Sequence, residues 1–415
     1  MKKLIIATLA LSLLMGCMAG YTPRIPIETP ATNEDDGGDI LPIPPQPVLE
    51  KVTPNGLVLR LLELEKEKAP GGSVILSPLS IEMALAMASN GAAGEAKEAM
   101  ETLLGLNAEQ LNSLLGPYLL KEDNTLSIAN SMWFNESMKD LVKADFQETL
   151  RTVYAAGEGS FTPGSQKDAD AINGWVKEKT HDKIDSIITP DGLTEDTLAL
   201  LINALYFNGK WADPFEEWQV TDETFRAPSG DQQARLMDGW EGTYFENEWG
   251  TGFAKDYEDG YEFIGLLPKT EGAVDLSALD IDEILATRTG AYDVHIKIPK
   301  FELEYSTSLV DTLSGLGLGS LFAPGSLNGM LTDEALENDW NAWVSDVLHK
   351  TYMKMYEEGT EAAAVTAVIV ECATAAMPVE RETKEVFLDR PFAFLIRDTQ
   401  SGQVVFCGII NSVEK

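Results

Sequence analysis

The chain has 415 residues, 44% hydrophobic and 24% charged, an ordinary globular composition with enough apolar side chains to fill a large core. Its 31 basic residues stand against 67 acidic ones, and the resulting net charge of −36 argues against polyanion partners such as nucleic acid or anionic lipid headgroups. Three cysteines, Cys17, Cys372 and Cys407, are too few and too scattered for a disulfide framework or a zinc site.

Lys2 and Lys3 precede an apolar run, Leu4 to Met15, that is too short to cross a bilayer as a helix. Residues 1–16 therefore read as an export leader and are set aside from the fold. The run ends at Leu14-Met15-Gly16-Cys17, which resembles the bacterial lipoprotein cleavage box, with Met15 standing where a smaller residue is usual. The resemblance implies that Cys17 becomes the lipid-modified first residue of an exported, membrane-anchored protein; the alternative is a plain signal peptide with an incidental cysteine. Met18 follows where an aspartate would favour the inner membrane, so the outer membrane is favoured. Removal of residues 1–16 takes away two lysines and brings the charge to 29 − 67 = −38. Residues 17–50 read as a lipidated tether. Between Met18 and Glu50 lie seven prolines and the acidic cluster Glu34-Asp35-Asp36, without apolar periodicity to offset the entropy of ordering. Extended, such a stretch reaches on the order of 100 Å at about 3.1 Å per residue.

Residues 51–415 show no linker and no repeat, and read as one α+β domain with large, mostly antiparallel sheets. Ser77-Pro78 supplies an N-cap and a first-turn proline for a helix with Ile81, Ala84, Leu85 and Ala88 on one face, ending near Asn90-Gly91. Thr125 to Phe134 reads as a strand, and Val142 to Tyr154 and Ala169 to Thr180 as helices. Leu198 to Phe207 is a nearly unbroken apolar run, the pattern of a strand covered on both faces, in which Asn203 requires an internal hydrogen-bond partner. Val294 to Glu304 and Lys350 to Tyr356 are further strands, and Phe392 to Arg397 and Val404 to Ile410 form a hairpin about a Thr399–Gly402 turn. Gly315 to Gly319 is glycine-rich but lacks the strand-before, helix-after context of a phosphate loop. Three histidines (His181, His295, His349) without HExxH, GxSxG or CxxC provide no catalytic constellation and no metal or cofactor site.

The segment from Glu357 to Val370, EEGTEAAAVTAVIV, opens a stretch of roughly thirty residues without helical pattern between two strands, a length that is usually functional. Its even positions, Thr360, Ala362, Ala364, Thr366, Val368 and Val370, are small or apolar, while Glu361 and Glu371 occupy odd ones. That period describes a loop able to become a strand buried on one face.

EEGTEAAA resembles the hinge of the serpin reactive loop. The resemblance covers most of residues 51–415 and includes, in order, SPLSIEMALAMASNGAAGEAKEAM, INALYFNGKW, VHIKIPKFELE and DRPFAFLIRDTQSGQVVFCGIIN. It implies a serpin fold with an exposed reactive-centre loop, and a single-use protease inhibitor rather than an enzyme. In that family the protease acylates itself on the loop, which then inserts into the main sheet as a new strand. Insertion of about ten to fifteen residues adds hydrogen bonds worth roughly 1 kcal/mol each, on the order of 10 kcal/mol, comparable with the stability of a whole domain. By the same resemblance, Glu357, Glu358, Gly359, Thr360, Glu361, Ala362, Ala363 and Ala364 are the hinge. Ser77, Ser80, Asn203 and His349 form a buried polar cluster under the point where the sheet opens. Trp211, Lys300 and Glu357 lie where the loop enters, with a Lys300–Glu357 pair expected. Counting Gly359 as the first of fifteen residues puts the reactive bond at Ala373–Thr374, suited to a shallow, elastase-like primary pocket, with Glu371 and Cys372 as alternative reactive positions. The expected partners are target proteases, held as a covalent acyl complex by a monomer that needs no heparin-like activator. The alternative is a non-inhibitory serpin serving as a binding or chaperone-like module; the hinge lacks the bulky or proline residues typical of such members.

Overall fold

A computed structural model describes residues 10–19, 53–120, 125–360 and 381–414, of which residues 10–19 and Leu120 are described by their backbone alone. The helices include α1 (Pro54–Lys68), α2 (Pro78–Ser89), α3 (Gly94–Leu104), α4 (Ala108–Leu120), α5 (Ala144–Val153) and α6 (Gln166–Lys179). Helix α2 starts where its sequence demands. The Ser77 hydroxyl accepts from the Ser80 amide and Pro78 fills the first turn, where its missing N–H costs nothing. All but one of the residues of α2 are buried, because it runs through the core between two sheets rather than along the surface.

Among the described residues the largest sheet has eight strands. Its order is β4 (Gly157–Phe161), β3 (Leu126–Asn135), β5 (Thr197–Phe207), β1 (Ala10–Ala19) and β14 (Trp340–Tyr356), with β13 (Phe301–Ser308) on the far side of β14. On the side of β14 that faces β5, the two-residue β15 (Gly359–Thr360) bridges β14 to β6 (Gly209–Lys210). Among the described residues of this sheet only β3 and β4 pair in parallel; β1 is antiparallel to both of its neighbours. A second sheet runs β2 (Val74–Leu76), β18 (Val404–Ile410), β17 (Phe392–Asp398), β11 (Tyr261–Pro268), β10 (Gly250–Asp256), β9 (Thr243–Glu246). A third runs β16 (Glu382–Phe387), β12 (Tyr292–Pro299), β8 (Gly230–Glu241), β7 (Val220–Ala227). The central strand β5 is buried along its length except at Tyr206, as its apolar run requires.

Three sequence readings change. Val294 to Glu304 is two strands in different sheets: β12 ends at Pro299, which cannot donate to a ladder, and β13 begins at Phe301. The strand ending at Tyr356 begins ten residues earlier than Lys350. A register shift between Val344 and Asp346 interrupts its alternation and hides the first half from a period-2 reading. Residues 1–16, expected to stand apart from the fold, include the first seven residues of β1. Residues Ala10–Ala19 contain neither proline nor charge, so their backbone is free to complete two facing ladders at once.

Candidate functional site

The site is the slot between β5 and β14, with its mouth at β15. At the mouth, Trp211 follows directly on β6 and is 1% exposed. Its indole Nε1 donates to the Tyr356 carbonyl at 3.2 Å, and its backbone N–H donates to the Glu358 carbonyl at 2.9 Å. The indole stacks on Tyr257 with centroids 4.3 Å apart. The Tyr257 hydroxyl lies 2.6 Å from Thr360 Oγ1, so an aromatic pair carries a hydrogen bond directly onto the hinge. Thr360 is 3% exposed. Beside it, Lys300 Nζ donates to Glu357 at 2.5 Å across the turn that leaves β14. Burial pushes the Glu357 carboxyl up, but the Lys300 hydrogen bond and charge outweigh it and hold the group below its ordinary range. A second ion pair, Lys255 to Glu241 at 2.8 Å, sits under Trp211, with the ammonium over the rings of Trp211 and Phe215. Gly359 cannot be replaced freely, since an added Cβ would lie 2.0 Å from the Gly209 carbonyl oxygen.

Halfway down the slot lies a polar cluster in an otherwise apolar floor. Ser77 Oγ donates to the Val405 carbonyl at 2.8 Å, and Ser77 N–H donates to His349 Nε2 at 3.2 Å. Ser80 Oγ donates to Asn203 Oδ1 at 2.6 Å; Asn203 Nδ2 passes on to Asn130 Oδ1 at 2.8 Å, and Asn130 Nδ2 to the Tyr154 carbonyl at 2.9 Å. The chain of donors thus runs from α2 through β5 to β3 and α5, and accounts for Asn203. His349 is fully buried, and desolvation pushes its pKa down to about 4 against the weak upward pull of Glu65. With Nε2 accepting, the proton of the neutral ring is on Nδ1, which has no partner among the described residues.

Ser77, Ser80, Asn203 and His349 are therefore together at the floor of the slot, and Trp211, Lys300, Glu357, Glu358, Gly359 and Thr360 at its mouth. Glu361, Ala362, Ala363, Ala364, Glu371, Cys372, Ala373 and Thr374 lie outside the described residues, and Cys17 is described only by its backbone in β1. Tyr257, Phe215, Lys255 and Asn130 escaped the sequence reading. Each belongs to the site through a contact between segments far apart in the chain, 103 residues for Tyr257 and Thr360, and no local pattern marks them.

The family model described as Serpin (serine protease inhibitor) matches residues 53–413. An uncharacterized serpin-like protein of Thermococcus kodakarensis is 31% identical, over 98% of this chain and 98% of its own length. A leukocyte elastase inhibitor of Bos taurus is 31% identical over 83% of this chain and 94% of its own length. Among solved structures, the thermophilic serpin tengpin in its native state superposes with a TM-score of 0.71 at 29% identity, covering 86% of this chain and 92% of tengpin. The chain belongs to the serpin family, a family of serine protease inhibitors and not of enzymes.

Proposed function

We propose that the chain is a suicide-substrate inhibitor of serine endopeptidases, exported and lipid-anchored through Cys17, whose reactive loop inserts between β5 and β14 after cleavage. The observation that carries this reading is β15. Gly359 and Thr360 are already hydrogen-bonded between β14 and β6, so these two hinge residues act as the nucleus of a new central strand. Thr360 pairs with Met355 and Gly209. Counting on without a bulge, five further residues bring Val365 opposite Lys350 and Ala204, and the next brings Thr366 opposite His349 and Asn203. The even positions Thr360, Ala362, Ala364, Thr366 and Val368 then count to Met355, Met353, Thr351, His349 and Val347 of β14, each of which is buried.

The loop chemistry favours an elastase-like target, with Ala373 as the acylated residue, and similarity to a protein named leukocyte elastase inhibitor supports the same class. The covalent partner is the protease itself, and no cofactor enters the reaction. Cleavage before Cys17 and residues 17–50 as a tether would hold the domain of residues 51–415 clear of an outer membrane.

Incubation of the processed protein with pancreatic elastase, followed by a boiled denaturing gel, is the test. We expect a complex at the summed mass and a released peptide beginning at Thr374. Loop cleavage by every protease tried, without a stable complex, would sink the inhibitory reading. A peptide beginning before Glu371 or beyond Met377 would overturn the reactive-bond assignment alone.

A further inference from the structure

A cavity of about 210 Å³ lies among α1, α2, α3 and α4. Its walls are leucines: Leu57 from α1, Leu103 from the end of α3, Leu106 from the turn that follows, and Leu111 and Leu115 from α4. Leu114 also lines it and is 51% exposed, a large apolar side chain left in water beside the opening.

Two polar side chains reach into this apolar space, Glu82 from α2 and Gln403 from the turn before β18. Gln403 Nε2 donates to Glu82 Oε2 at 3.1 Å and to the Val404 carbonyl at 3.4 Å, which uses both protons of the amide. Glu82 Oε1 and Gln403 Oε1 have no donor among the described residues, and no lysine or arginine among them pairs with the carboxyl. Thr53, the third polar side chain of the lining, has its hydroxyl proton committed to Asp282 at 3.0 Å. The polar end of the cavity therefore offers acceptors and no donors. Charge points the same way. Burial pushes Glu82 up to about 7 with only the Gln403 hydrogen bond to oppose it, as happens to a carboxyl without a counter-ion. Leu103, Leu104 and Gly105 bring the C-terminal end of α3 to the cavity, where the helix dipole is negative, and that last turn carries no basic residue. A carboxylate ligand is repelled by both features, and a neutral alcohol leaves the carboxyl without its counter-charge.

We propose that this cavity is a binding site for a primary alkylammonium, whose stem lies against the leucine walls and whose ammonium donates to Glu82 Oε1 and Gln403 Oε1. Three N–H donors on one compact charge suit a corner made of acceptors alone. At about 30 Å³ per water-sized group the cavity holds roughly seven carbons, enough for a short amine and too few for a long-chain lipid. The site is built from α1 to α4 and does not depend on the inhibitory reading.

Isothermal titration of the full chain at pH 8 with unbranched amines from butyl to nonyl is the test. A primary ammonium, with a pKa of about 10.4, is charged there, and Glu82 is ionised. We expect affinity to rise roughly fourfold per methylene up to heptylammonium and to level off beyond it, where the stem outgrows the cavity. Heptanol and heptanoate should bind roughly ten-fold more weakly than heptylammonium, or worse. Glu82→Gln keeps the side-chain shape and a partner for Gln403, and should weaken heptylammonium by about the same factor. Equal binding of heptanol and heptylammonium, no effect of Glu82→Gln, or no binding at all overturns the proposal. Affinity that is flat with chain length reflects only the net charge of −36, and affinity that climbs steadily through nonylammonium reflects partition onto the surface; either result overturns it as well. Should Glu82→Gln not fold, the chain-length series and the heptanol comparison on the parent decide the matter.

Discussion

At Thr360 a single side chain decides between strand and loop. Its hydroxyl is satisfied by Tyr257, its surroundings are dry, and the space is sized for a threonine packed against Met355. Replacement by arginine places a guanidinium on the buried face with no carboxylate to receive it, at a cost of several kcal/mol if it stays buried and unpaired. The hinge then stays out of the slot, and the acyl-enzyme hydrolyses before insertion can distort it. Thr360→Arg should therefore leave the rate of loop cleavage by elastase intact while raising the number of inhibitor molecules consumed per protease inactivated by at least ten-fold. An unchanged stoichiometry would mean that insertion does not follow this register. The milder Tyr257→Phe removes one hydrogen bond from the same threonine and should lower stability by about 1 kcal/mol in urea denaturation.

Where α2 meets β14, two elements share one neutral imidazole: His349 accepts the N–H of Ser77, the residue that caps α2. Its folded pKa of about 4 lies below the unfolded value of 6.5, so the unfolded chain binds the proton first as pH falls. The stability this group contributes is complete above pH 6.5 and is lost as pH falls towards 4, by about 3 kcal/mol in all. Glu82 on α2 acts in the opposite sense. Burial raises its pKa to about 7, despite the Gln403 hydrogen bond, so its contribution is present at low pH and lost as pH rises from 4.5 to 7. The total pH profile thus conceals both groups, and the measurement must be a difference. His349→Gln keeps an acceptor for Ser77 and should flatten the acid loss relative to the parent between pH 6.5 and 4; parallel curves would refute a buried neutral His349. Sequence alone had located this junction, because the Ser-Pro start of α2 and the polar Asn203 within an apolar strand are local signals. It could not locate the other half of the slot. The bulge near Ser345 scrambles the alternation of β14, the division at Pro299–Lys300 sends one apparent strand into two sheets, and Tyr257 bonds the hinge across 103 residues of sequence. Nor could it place β1, whose position depends on two ladders brought together by the rest of the fold rather than on anything within residues 10–19.

At the scale of the whole molecule, the proposed anchor puts Cys17 at the boundary of two segments: residues 1–16, proposed to be removed, and residues 17–50, proposed to tether the domain. Among the described residues no helix is long and apolar enough to cross a membrane, and the net charge repels anionic headgroups. Under the proposed anchor, the lipid on Cys17 would supply the membrane affinity, for which two acyl chains suffice where one is marginal. Cys17→Ala, expressed in a bacterium supplied with labelled fatty acid, should lose the label completely and leave the membrane fraction. The parent should carry the label and fractionate with the outer membrane. Label retained by Cys17→Ala would refute the anchor at this residue, and labelled parent found in the inner membrane would refute the sorting inferred from Met18. A soluble, unlabelled parent would leave the leader as an ordinary signal peptide.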